Sequence, residues 1–260
     1  MYEAKQIPYM LDANFTDAII YQETKLKELS SVCMCIWEMK SKHQIDRVIT
    51  NQIPPDACID IIFDFVNRQI CFAGYSKQTE SFPLYQEIDY MGVRLKPGAF
   101  YALYHIDADQ MVDQIIPFSK IDTSFCLDAV FSCKDSQMRI DQIQAYLMQK
   151  MTAMPELKLD FIHLVDELYQ SPKDQNVIIM AEKLGYTKRQ LLRIFHKHYG
   201  ISPKVLLNIL RLHLCLSILQ RKTMNLAEIA SQCGFYDQSH FIKEIKRYTG
   251  FSPLKLVEYD

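Results

Sequence analysis

Apolar side chains alternate with polar ones in CIDIIFDFV, residues 58–66: Ile59, Ile61, Phe63 and Phe65 share one face, and Asp60 and Asp64 lie on the other. A two-residue period is that of a half-buried strand. VCMCIWEM (32–39), QICFAG (69–74) and YMGVRL (90–95) have a similar texture and are punctuated by the turn letters of IPPDA (53–57) and KPG (96–98). Residues 32 to about 95 are expected to form a small β-rich unit, a curled sheet or barrel. Cys33 and Cys35, two apart, are expected on one strand face.

From Ala99 the period lengthens. Asp107 with Gln110 three positions on predicts a capped short helix through MVDQII, stopped by Pro117. Ile140, Ile143, Leu147 and Met151 recur at three- and four-residue steps, predicting a helix from about Asp135 to Met151. Pro155 closes it and marks the boundary between a first domain, residues 1–153, and a second, residues 154–260.

The second domain reads as helix throughout. Leu157 to Gln170 is amphipathic. Asn176 caps a short helix from Val177, and Thr187 with Gln190 forms a capping box for the next. Ser202 and Pro203 open an apolar helix to Leu219, proline being tolerated in a first turn. Asn225 and Glu228 repeat the cap signature before LAEIASQCG.

These helices contain a repeat. GYTKRQLLRIFHKHYGISP (185–203) has the skeleton of GFYDQSHFIKEIKRYTGFSP (234–253), pairing Ala181 with Ala230, Gly185 with Gly234, Leu191 with Phe241 and Gly200 with Gly250. Short helix, glycine turn, longer helix, glycine stop is the grammar of a helix-turn-helix. Leu191, Leu192, Phe195, Phe241 and Ile245 are expected on the buried sides of the longer helices. Pro203 to Leu219 would span about 25 Å at 1.5 Å per residue, a stiff spacer between two DNA readers.

Charge supports a polyanionic partner. The net charge of −2 conceals 14 basic against 20 acidic residues over 1–150 and 15 against 11 over 151–260. Between Lys183 and Ala227 stand nine basic residues, Lys222 among them, and no acidic one. On the second helix of each unit, Lys188, Arg189, Arg193, Gln238, Ser239 and Lys243 are candidates to read base edges, since arginine pairs with guanine and glutamine with adenine through two hydrogen bonds. Thr187, Lys197, His240, Lys246 and Arg247 are candidates for phosphate contacts, which carry affinity without sequence information.

On these motifs, residues from about 158 to 258 resemble the DNA-binding domain of AraC/XylS-type transcriptional regulators, and AEIASQCGFYDQSHFIKEIKRYTGFSP is close to that family's signature. The resemblance implies base contacts from Arg189, Arg193, Gln238, Ser239 and Lys243. Tyr236 departs from it, standing where a small polar cap is usual, as does Ile245, where phenylalanine is commoner. PPDACIDIIFDF and YMGVRLKPGAFYALYHIDADQMVDQIIPF resemble an amino-terminal regulatory domain of some family members. The implied fold is α+β: a β-rich, barrel or cupin-like sensor followed by an all-α domain of two helix-turn-helix units joined by a linker helix. The implied partners are double-stranded DNA and RNA polymerase, with a small-molecule effector or a regulatory protein as alternatives for the first domain, and a homodimer left open. Trp37, Tyr90, Arg94 and Tyr101 are the candidates for an effector pocket, core packing being the competing role for the aromatics.

Other chemistries find little support. No HExxH, GxSxG or phosphate-cradling glycine loop occurs, so no enzyme and no cofactor is expected. The eight cysteines lack the spacing of zinc or redox motifs, and His43 and His105 form no ligand-spaced pair, so no metal is expected. Without a signal-like start or an uninterrupted apolar run of about 20 residues, a cytoplasmic location and no membrane contact are expected.

Overall fold

The computed structural model describes residues 1–4, 13–125, 127–153, 160–221 and 224–258. Strands β1 (Ile19–Thr24), β2 (Cys33–Ser41), β3 (Ile45–Ile53), β4 (Ile59–Asp64), β5 (Gln69–Ala73), β6 (Glu80–Gln86), β7 (Asp89–Leu95) and β8 (Ile115–Pro117) make two antiparallel layers. One is a six-stranded sheet in the order β1-β2-β7-β4-β5-β8, and the other is the ribbon β3-β6.

The alternation read from residues 58–66 decides which face meets what. Ile59, Ile61 and Phe63 of β4, with Met91, Val93 and Leu95 of β7, enter the main core beneath the sheet. That core is completed by α2 (Ala99–Tyr104) and α4 (Ser136–Thr152). The opposite face carries Cys35, Trp37 and Met39, over which Ile45, Ile49 and Leu84 of the ribbon and Phe15 of α1 (Ala13–Ala18) close a second core. Trp37 pairs in register with Gly92, and a Cβ added to Gly92 would lie 2.1 Å from the indole. Glycine there lets the ring lie across the neighbouring strand.

Three local expectations fail. Residues 108–111 make a single 3-10 turn, Asp107 gives it no side-chain cap, and Ile115–Pro117 is strand β8, paired with β5. Pro117 is accommodated because β8 is an edge strand. Cys33 and Cys35 do not share a face: the register shifts between them, sending Cys33 into the main core and Cys35 to the ribbon side. Leu192 is 43% exposed and does not join the buried side of its helix.

The second half is helical as read, through α5 (Asp160–Gln170), α6 (Val177–Lys183), α7 (Lys188–Tyr199), α8 (Pro203–Leu219), α9 (Leu226–Gln232), α10 (Gln238–Thr249) and α11 (Pro253–Glu258), with the short α3 (Leu127–Phe131) in the first half. Asn176 caps α6, and capping boxes at Thr187–Gln190 and Asn225–Glu228 start α7 and α9. The repeat extends to hydrogen bonding: Tyr186 N–H donates to the Ala181 carbonyl and Phe235 N–H to that of Ala230, both at 2.9 Å. Gly185 and Gly234 turn the chain with φ of +69° and +78°. The proposed boundary at Pro155 lies outside the described residues, as do Cys126 and Lys222. The main core runs without a break from the sheet through α5, α6 and α7 to Leu210, and the rest of α8 with α9–α11 builds a separate core.

Candidate functional site

Each candidate reader is the second helix of its unit, α7 or α10. In α7 Leu191, Phe195 and Tyr199 are buried, and Lys188, Arg189 and Arg193 stand exposed on the other side. In α10 Phe241, Ile245 and Tyr248 are buried, and Gln238, Ser239 and Lys243 are exposed. Lys188, Arg189, Arg193 and Lys243 have no ion-pair partner among the described residues. Four cations without internal counter-charges, on the leading halves of two like helices, form a surface suited to a polyanion.

The phosphate candidates divide. Lys246 and His240 are exposed, the His240 ring lying edge-on to Phe235. Arg247 is paired with Glu244 at 2.6 Å and lies over the Tyr248 ring. The Thr187 hydroxyl and amide are both spent on Gln190 in the capping box, leaving no donor for phosphate. Lys197 is turned to the first domain, its ammonium 4.8 Å from the centre of the Tyr101 ring. The letters do not mark Leu192 and Tyr236 as part of this exposed surface. Leu192 is exposed next to Arg193, and Tyr236 is 93% exposed just before Asp237, the residue that caps α10. Burial, invisible in the letters, is the signal that finds them.

The trailing end of α7 is docked on the first domain. Tyr75 Oη donates to the Tyr199 carbonyl at 2.7 Å, and a Cβ on Gly200 would meet the Ala108 carbonyl oxygen at 2.7 Å. The Tyr101 ring meets His198, which stacks on Phe161 with ring centres 3.9 Å apart. Farther along, His213 of α8 donates through Nε2 to the Pro55 carbonyl at 3.0 Å, and the Thr79 hydroxyl donates to the Tyr248 carbonyl near the end of α10.

Between sheet and ribbon lies a cavity of about 1180 Å³, lined in part by Trp37, Tyr90 and Arg94. Tyr101 does not line it; α2 lies across the sheet from it and presents Tyr101 to α7. Arg94, a candidate for the effector pocket, finds carboxylate partners within the chain. Its guanidinium lies 3.2 Å from Asp60, 3.8 Å from Asp56 and 3.9 Å from Glu23. Trp37 Nε1 donates to the same Asp60 at 2.8 Å. Burial pushes the Asp56 carboxyl up to about 6 although Arg94 opposes the shift. Burial also raises the Cys35 thiol to about 12 and Cys71 to about 11, which keeps both protonated and poorly nucleophilic. Among the described residues no group of three or more His, Cys, Asp or Glu has metal-ligand geometry, and no single helix is long and apolar enough to cross a membrane.

Two family models match the chain: one described as "Helix-turn-helix domain" over residues 180–258, and one described as "Domain of unknown function (DUF6597)" over residues 26–117. The HTH-type transcriptional regulator MtrA of Neisseria gonorrhoeae is 30% identical over 92 residues, 35% of this chain and 31% of MtrA. The HTH-type transcriptional regulator GbdR of Pseudomonas aeruginosa is 31% identical over 102 residues, 39% of this chain and 27% of GbdR. These matches span about a third or less of the relatives' own length. An apo form of a ToxT variant from Vibrio cholerae superposes over 92% of this chain and 99% of its own, with 12% identity and a TM-score of 0.46.

Proposed function

We propose that the chain, which matches a helix-turn-helix domain behind a β-rich domain, is a sequence-specific DNA-binding transcriptional regulator of the AraC type. The observation that carries this reading is the duplicated unit: two helices, α7 and α10, each start with exposed polar and cationic residues and are held by the shared α8. One reader covers a few base pairs, so two on one chain supply what dimers obtain by symmetry. Arg189, Arg193, Gln238, Ser239 and Lys243 read base edges, Lys188 supports them, and Lys246 and His240 hold phosphates. RNA polymerase is a further partner.

Control comes from the first domain acting on the trailing ends of the readers. Tyr75 lines the cavity and also holds the Tyr199 carbonyl, and Asp56, another lining residue, follows the Pro55 carbonyl that holds His213. A ligand in the cavity therefore touches the groups that fix the posture of α7 and α8. It changes DNA engagement by as much as its affinity differs between two arrangements of these contacts. The cavity favours a small-molecule effector over a protein partner for this domain.

A binding selection on randomised duplex DNA tests the reading. The intact protein should enrich two short half-motifs about one helical turn, about 34 Å, apart, and an Arg193→Ala, Lys243→Ala double variant should lose both. Equal sequence preference for the two proteins would overturn the assignment of readers.

A further inference from the structure

The cavity between the sheet and the ribbon has a sign. Among the described residues five carboxylates line it, Asp56, Asp60, Asp64, Glu80 and Asp113, and Arg94 is the one basic side chain in its wall. Arg94 is already matched by Asp56, Asp60 and Glu23. Asp64 accepts hydrogen bonds from Asn67, and Asp113 accepts one from Ser76, all of them neutral donors. Asp64, Glu80 and Asp113 thus have no cationic partner among the described residues. Low-dielectric walls strengthen such a field inside a cleft and turn away ligands of the same sign.

An independent feature asks for a donor. Asn51 lines the cavity, is 6% exposed, and its side-chain oxygen is buried without a hydrogen-bond partner. Strand alternation along β3 puts Asn51 on the inner face with Ile49, which belongs to the core under the ribbon. A buried acceptor left unpaired is costly, so a ligand that donates to it is favoured. Trp37 and Tyr90 line the cavity, aromatic rings being side chains that attract a positive charge, and Met39, Ile62 and Leu84 supply apolar wall.

Resting on the reading of this cavity as the effector site, we propose that it binds an organic ammonium ion: a positive, N–H-bearing head held by the uncompensated carboxylates and Asn51, with an apolar body against Trp37, Met39 and Ile62. An anionic effector, such as a carboxylate or phosphate ester, meets repulsion and finds Arg94 already paired.

Trp37 is the chain's only tryptophan, so its fluorescence reports on the cavity directly. Octylamine, octanoate and octanol, which share one apolar body and differ in charge, are titrated into the full-length protein. Octylamine should give a saturable change with affinity about tenfold or more above that of octanol, a free-energy gain of about 1.4 kcal/mol, and octanoate should give none. Glu80→Gln should weaken octylamine several-fold and leave octanol unchanged, whereas Asn51→Ala should weaken both, because the octanol hydroxyl can also donate to the Asn51 oxygen. Octanoate binding as tightly as octylamine would overturn the cation preference while leaving a ligand cavity in place. No change with any of the three would overturn both the proposal and the effector reading beneath it.

Discussion

At the scale of single residues, the two readers make separable demands on a binding assay. Arg193→Ala or Lys243→Ala should cost about 1–3 kcal/mol on the selected site and relax preference at one position, because a base-edge contact discriminates and a phosphate contact does not. Lys246→Ala should weaken all sequences alike and reduce the salt slope by about 1. Lys197→Ala should leave DNA affinity on both kinds of site unchanged, since its ammonium rests on Tyr101 of the first domain. Competition titrations at two salt concentrations measure all of these. Leu192, exposed beside Arg193, suits the methyl group of a thymine, and Leu192→Ser should lower preference at one A·T position. That residue shows where letters fall short: Leu191 and Leu192 are identical in type, and only the rotation of α7 against the core separates the buried one from the exposed one.

At the scale of elements, cap and turn chemistry makes most helix boundaries legible in the sequence. Asn176, Thr187, Ser202 and Asn225 each stand at a helix start and accept a backbone N–H there. Legibility failed where tertiary pairing overrode a local signal. Ile115–Pro117 is a strand because β5 offers an edge to it, and the Cys33–Cys35 pair splits because the partner strand shifts register. Of the cavity wall the sequence singled out only Trp37, Tyr90 and Arg94: Asp60 and Asp64 share polar positions of two paired strands with Arg94, and nothing local says that a ribbon covers them. The helix α4 shows how such long-range ties hold an element. Burial raises the Asp122 carboxyl, but hydrogen bonds from Lys150, Ser124 and Tyr146 outweigh it and bring its pKa to about 2. A depressed carboxylate stabilises the fold above its unfolded value of about 4, and that contribution is lost as pH falls through about 2. Asp122→Asn should therefore lower the urea midpoint at pH 7, and its deficit against the unsubstituted protein should narrow as pH falls from 4 toward 2. Gly92→Ala should cost about 1–3 kcal/mol through overpacking against Trp37 and shift the indole emission, because the new methyl overlaps the ring.

At the scale of the whole molecule, the mechanical units do not coincide with the two halves of the chain. The first helix-turn-helix shares the main core with the β-rich domain, from Leu29 and Val32 through Phe195 and Tyr199 to Leu210. The second rests on its own smaller core, from Leu212 to Leu256, and meets the first domain through the Thr79 hydroxyl and the Tyr248 carbonyl. Free energies of local opening follow buried apolar contact, so the smaller unit should open first. Amide hydrogen exchange should show α9 and α10 losing protection at a lower free energy than α7 and the first half of α8, which should open together with β2, β4 and β7. A ligand that tightens the cavity should then raise protection in α7 along with the sheet and reach α10 mainly through Thr79. Thr79→Val should leave the opening of α7 unchanged and lower that of α10, because it removes a tie of α10 to the first domain and touches nothing in the main core. Equal protection of both readers, unaltered in that variant, would mean that the protein moves as one body and that its readers cannot be adjusted against each other.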